Sequence, residues 1–125
     1  MDSSAIVKLA VREPETPALR SYVERIPAPV FTSEVAVVEV ERAARVRAGA
    51  DAVVGAQRLV RTFDLVTPTH DILRRAAGLA GFELRSLDAI HLASALVVNA
   101  SLLVAYDARL RAAAEAAGIE TAAPA

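Results

Sequence analysis

Five consecutive apolar residues, Leu102-Leu103-Val104-Ala105-Tyr106, run straight into an acid, Asp107. A half-exposed strand alternates apolar and polar side chains, so a run with no charged or hydrophilic position reads as a strand covered on both faces. Two-sided burial calls for helices above and below, the arrangement of a parallel sheet built from strand, helix and strand in succession. In open sheets of this kind ligands bind beyond the carboxyl ends of the strands. An acid placed directly at such an end is therefore a candidate for chemistry.

The rest of the chain supplies the covering helices. Ile6, Val7, Leu9 and Val11 give an apolar helical pattern over residues 4–11, with Ser4 as the expected N-cap and Asp2 against the helix start. Thr16 followed by Pro17 predicts a second helix capped by Thr16 and running through Leu19, Tyr22 and Val23. Strands are expected at Val30-Phe31-Thr32, Leu65-Val66-Thr67, 102–106 and Ile119-Glu120-Thr121. Helices are expected over 33–47, 51–62, 69–79, 86–98 with Ser86 as cap, and 109–117 closed by Gly118. The predicted class is α/β, with residues 1–125 as one domain.

Composition narrows the chemistry. The chain has no Cys, so any metal must be held by Asp, Glu, His or water. No apolar run reaches the roughly 20 residues of a membrane span, and no signal-like segment stands at the start, so a cytoplasmic protein without a membrane partner is expected. Neither a G-x-S-x-G nucleophile elbow nor a G-x-x-x-x-G-K-[ST] phosphate loop is present. The net charge of -1 gives no overall attraction to nucleic acid, yet Lys8 is the only Lys among 14 basic residues. Arginine is the side chain best matched to phosphate, which leaves room for a local basic rim.

Four acids stand out. On a wheel of about 100° per residue, Glu34, Glu41, Arg42 and Arg45 share one polar side of the 33–47 helix, while Glu39 falls among Val35, Ala43 and Val46. Its ordinary partner would be Arg42 at i+3; its alternative is a cation. Asp88 lies one turn into its helix, with Leu92 and Ala95 below it, and has either a helix-dipole role or an inward one. Asp107 is a turn or capping acid, or a site acid at a strand end. With Asp2 they make four carboxylates at element edges or on inward faces. Converged acids repel one another unless a cation intervenes, so neutralising one without metal is expected to cost little stability. Hard oxygen ligands suit Mg²⁺ or Mn²⁺, which can activate water and stabilise charge on a phosphodiester, as one ion or as a pair. His91, three residues after Asp88, reads as a hydrogen-bonded packing histidine rather than a ligand, and His70 as solvated.

Four blocks in order then carry a resemblance. "MDSSAIVKLAVREPE", "TSEVAVVEVERAAR", "LRSLDAIHLASA" and "LVAYDARLRAAA" resemble the acidic blocks of PIN domains of the VapC toxin type. The resemblance implies a three-layer α/β/α fold with a short central parallel sheet, and a metal-dependent endoribonuclease whose acids are Asp2, Glu39, Asp88 and Asp107. It further implies Mg²⁺, with Mn²⁺ as a substitute, an RNA substrate, a VapB-like antitoxin and a homodimer. The family also carries a short strand before its first Asp, and here only Met1 precedes Asp2, so that strand is expected to be truncated.

Candidates for a phosphate-facing rim are Arg12, Arg42, Arg45, Arg47, Arg85 and Arg109. Aromatics make up 4% of the chain, so RNA is expected to be held by backbone charge and shape rather than base stacking. An antitoxin is expected to place an Arg or another basic side chain between two of the four acids and to cover apolar surface near Leu9, Leu19 and Val23. Two other classes of function fit the pattern less well. A receiver-type signalling domain shares the length and an acidic pocket but needs a Lys after a late strand, and a catalytically idle interaction module has no use for four acids.

Overall fold

The start of the chain shows how local chemistry sets the first element. In the structure, a computed structural model that describes residues 1–125 apart from Ala28, Ala80 and Phe82, Asp2 is extended and caps helix α1 (Ser3–Ala10). Its Oδ2 accepts from the Ser4 amide at 3.1 Å and from the Ser4 hydroxyl at 2.6 Å. Ser4 is thus not the cap predicted above, because a carboxylate two residues earlier reaches the free amide and benefits from the helix dipole. Ser4 Oγ instead accepts from the amide of Tyr106 at 2.9 Å and ties α1 to the last strands.

Thr16 and Ser86 are also displaced from their predicted capping roles. Helix α2 (Thr16–Val23) begins at Thr16 itself, whose hydroxyl accepts from the Glu13 amide at 2.8 Å and donates to the Lys8 carbonyl at 2.7 Å, joining α1 to α2. Ser86 is the first residue of its helix, after an extended Arg85 that makes no side-chain cap. Thr69, by contrast, accepts from the Ile72 amide at 3.3 Å.

The remaining elements are β1 (Phe31–Ser33), α3 (Val35–Ala48), α4 (Asp51–Val60), β2 (Asp64–Val66), α5 (His70–Gly78), α6 (Ser86–Val97), β3 (Leu102–Val104), α7 (Ala108–Ala116) and β4 (Glu120–Ala122). The strands are shorter than the apolar run implied: Ala105 and Tyr106 leave β3, although the Ala105 amide still bonds the Ala122 carbonyl at 3.0 Å. Helix α7 ends where Gly118 takes φ 87°, which lets the Ile119 amide return to the Ala114 carbonyl at 2.9 Å.

The strands pair in parallel, β1 with β2 and β3 with β4, with Phe31 opposite Asp64 and Leu102 opposite Glu120. Between the two halves lie Met1 and Asp2. The Met1 main-chain nitrogen donates to the Phe31 carbonyl at 2.7 Å and the Asp2 amide to the Val104 carbonyl at 3.0 Å. These two residues bridge the two half-sheets through main-chain hydrogen bonds, although neither is part of a strand. Beside them is a cavity of about 470 Å³ lined in part by Phe31, Ser33, Leu102 and Val104.

Helices cover both faces. On one side Ile6, Leu19, Val40, Ala44, Ala56 and Val60 bury α1 to α4 against Val104. On the other, Leu92, Leu103, Leu110 and Ile119 join α6 and α7 to the second half-sheet, and Ile72, Ala76, Ala89 and Ala93 join α5 to α6. Side chains buried with no exposure, such as Ile6 and Leu19, are each worth about 1.5–3 kcal/mol of transfer free energy. The layers hold the C-terminal ends of β1 and β3 beside the start of α1.

Candidate active site

Each of the four acids sits where a different local rule puts it. Asp2 is 3% exposed and fixed by its capping bonds. Glu39 projects from α3 beside the buried stripe Ala36, Val40 and Ala44. The predicted apolar face was drawn slightly off, since Val46 is 82% exposed. Asp88 is the third residue of α6, half-buried. Asp107 is exposed and caps α7, its Oδ1 accepting from the amides of Arg109 at 2.8 Å and Leu110 at 3.0 Å. The capping role weighed for Asp107 is real, and it uses only one of the two oxygens.

The electrostatics bring the four together. Burial pushes the Asp88 carboxyl above its ordinary value, and the charges of Asp2, Asp107 and Glu39 raise it further. Burial also opposes ionisation of Glu39, but hydrogen bonds from His91 and Ser3 outweigh it and hold that carboxyl below the usual range. The Arg42 partner weighed for Glu39 is absent among the described ion pairs. Instead Ser3 Oγ donates to Glu39 Oε1 at 2.6 Å, and His91 Nε2 lies 2.7 Å from the same oxygen and 3.6 Å from Asp2 Oδ1.

No Arg or Lys pairs with any of these acids among the described residues; His91 is the basic group they meet. Asp88 in the field of three other carboxylates, without thiolates and without a guanidinium, is the kind of oxygen-rich surrounding that a hard divalent cation takes. The four acids do not form a closed cage: among the described residues no three His, Asp or Glu groups are already arranged around one metal position.

The sequence matches the PIN domain over residues 1–116. It is 47% identical over 126 residues to Ribonuclease VapC46 of Mycobacterium tuberculosis, covering 99% of this chain and 95% of that protein. The chain belongs to the VapC family of PIN-domain ribonucleases. It is also 33% identical over 129 residues to Ribonuclease VapC47 of the same species, covering 99% of this chain and 95% of that one. The fold matches the crystal structure of Mycobacterium tuberculosis VapC20, described as a Sarcin-Ricin loop cleaving toxin, with a TM-score of 0.79 at 22% identity over 94% of this chain and 93% of that one. The three-layer α/β/α architecture of the PIN fold is thus the architecture of this chain.

Around the acids of this PIN domain the six predicted arginines divide. Arg12, Arg42, Arg45 and Arg85 are exposed and form no ion pair among the described residues. Arg47 is committed to Glu13 at 2.5 Å, and Arg109 stands 3.9 Å from Glu83. Arg42, Arg85 and Arg109 each lie within three residues of a site acid. Glu13 also pairs with Lys8, which lies 4.8 Å from the centre of the Tyr106 ring.

Sequence reasoning missed Ser3, which is 5% exposed and bonded to Glu39. Its signal was a hydroxyl one residue past the first acid, a weak one, because its partner lies 36 residues away. His91 is buried and hydrogen-bonded as expected, and His70 is exposed as expected.

Proposed function

We propose that this chain is a divalent-metal-dependent endoribonuclease, the toxin of a type II toxin–antitoxin pair, that hydrolyses RNA phosphodiester bonds at Asp2, Glu39, Asp88 and Asp107. The observation that carries this reading is four carboxylates from four elements, Asp2 capping α1, Glu39 in the second turn of α3, Asp88 in the first turn of α6 and Asp107 capping α7, with Asp88 in the repulsive field of the other three and no Arg or Lys partner to any of them among the described residues. Mg²⁺ or Mn²⁺ held there supplies an acidified water and offsets charge on the phosphodiester. The chain's own part is to orient the donors. Asp2 and Asp107 keep one oxygen on a helix amide and leave the other free of it, Glu39 is fixed by Ser3 and His91, and Asp88 lies within the field of all three. Arg42, Arg85 and Arg109 flank the acids and hold the RNA backbone.

The partner in control is a VapB-like antitoxin. A guanidinium from it would bridge two of the four carboxylates and offset their repulsion as the cation does. An apolar groove lined by Leu9, Val23, Val30, Leu59 and Phe63 gives the rest of the partner a surface. Leu19, included in the earlier expectation, is fully buried in the core and contributes nothing to that surface. The toxin acts as a homodimer in the cytoplasm; among the described residues no helix is long and apolar enough to cross a membrane.

Mapping cleavage of total RNA with and without Mg²⁺ tests the reading. Cuts at defined sites that vanish in EDTA and in Asp88→Asn support it. Cleavage that survives EDTA, or no cleavage under any divalent ion, overturns it.

A further inference from the structure

The Ser3, Glu39 and His91 side chains form a closed triangle. Ser3 Oγ is 2.6 Å from Glu39 Oε1, His91 Nε2 is 2.7 Å from the same oxygen, and Ser3 Oγ is 2.8 Å from His91 Nε2. The proton positions follow from the donors available. The single Ser3 hydroxyl proton points at Glu39. If His91 Nε2 carried no hydrogen, its lone pair would face the carboxylate oxygen at 2.7 Å, so Nε2 carries the hydrogen and donates to Glu39. Two donors therefore end on Oε1. No hydrogen bond to Oε2 is found among the described residues.

The triangle joins three elements that the chain brings together from far apart: Ser3 opens α1, Glu39 is on α3, and His91 is on α6, 88 residues from Ser3. His91 lies three residues beyond Asp88 on the same helix, so it references Glu39 to the helix that carries another site acid. Both Ser3 and His91 are rigidly placed, at 5% and 3% exposure. Glu39 has three side-chain torsions and is partly buried against its charge, so these two donors are what hold it inward.

We propose that His91 is a positioning residue for the nuclease site: its Nε2–H anchors Glu39 Oε1 so that Oε2 is presented to the divalent cation. This inference rests on the metal-dependent reading above. Partners that orient a ligand in this way typically change metal affinity by about 10–100-fold when lost.

The test is Mn²⁺ titration of the purified full chain, followed by electron paramagnetic resonance, with thermal melting in EDTA as the folding control. Gln at position 91 extends a terminal NH₂ to about the reach of Nε2, and Asn is one carbon shorter. His91→Gln should hold Mn²⁺ within about 3-fold of wild type and His91→Asn should weaken it by about 10-fold or more. Ser3→Ala should weaken it in the same direction, and in a Glu39→Gln background His91→Asn should bring no further loss, because the residue acts through Glu39. Equal affinity in the Gln and Asn variants, or full additivity with Glu39→Gln, overturns the positioning role while leaving the nuclease reading intact. A wild-type chain that binds no Mn²⁺ and cleaves no RNA removes both.

Discussion

Asp107 does two jobs that one substitution would blur and two would separate. Its Oδ1 accepts from the amides of Arg109 and Leu110 at 2.8 and 3.0 Å, while its charge adds to the field at Asp88. Asp107→Asn keeps an acceptor oxygen at the cap and removes the charge. Asp107→Ala removes both. The difference between the variants is therefore the cap alone, which is worth about 1 kcal/mol. For a chain of 125 residues that corresponds to about 3–6 °C in melting temperature. Melting in EDTA at pH 7 should place Asp107→Ala below Asp107→Asn by that interval, with Asp107→Asn close to wild type. RNA cleavage with Mg²⁺ should fall in both variants alike, because both have lost the charge. Equal melting of the two variants would refute the capping argument, and an Asp107→Asn chain that cleaves as wild type would refute a place for this charge in the site.

The other acids give opposite signs without metal. The Asp88 carboxyl is raised by burial and by its acidic neighbours, so its charge destabilises the fold. That penalty is absent below the unfolded value, about 4, and fully present once pH exceeds the folded value, so Asp88→Asn should melt higher than wild type in EDTA at pH 7 and lose that advantage at lower pH. Glu39 is held low by His91 and Ser3 against its burial, so its stabilisation is present above the unfolded value and lost as pH falls through the folded one; Glu39→Gln should melt lower at pH 7, measured by the same scans. For Glu39 this outcome is the opposite of the general expectation that neutralising one acid costs little, and the same scans decide between them. Three phosphate contacts by Arg42, Arg85 and Arg109 would give a log–log salt slope of about -2, so raising salt fourfold should lower RNA binding about 15–20-fold in a filter assay; a flat response sinks the rim. In pull-downs with the antitoxin, Val23→Asp should abolish capture and leave RNA cleavage intact, and undiminished capture would remove the groove from the interface.

The parts of the fold that could be read from sequence were those set by short-range rules. The two-sided apolar run at Leu102 located β3, and the strong glycine signal at Gly118 located the end of α7. The four candidate acids stood out because each broke a local pattern: an acid before a helix, on an apolar face, in a first turn, at a strand end. Capping was misjudged at Ser4, Thr16 and Ser86, where tertiary partners or a better nearby acceptor decided the outcome. The links between acids were illegible for the same reason. Ser3, Glu39 and His91 meet only once α1, α3 and α6 have packed, and no window of sequence contains all three. Leu19 looked like surface because its helix is only eight residues long, and the burial that removes it comes from the packed helices beside it.

The seam at Met1 and Asp2 makes the sheet and the site one mechanical part. The same residue donates its amide to Val104, gives its carbonyl to the Ala5 and Ile6 amides, and points its carboxylate at His91. Met1, its neighbour, is bonded to the other half-sheet through Phe31. A parting of the halves would be carried through two main-chain bonds to the Asp2 carboxylate, whereas Glu39, Asp88 and Asp107 ride on helices with no hydrogen bond to that seam among the described residues. Asp2 is therefore the one candidate acid whose own main chain bonds across the sheet, so any shift between the two half-sheets is felt first at its carboxylate.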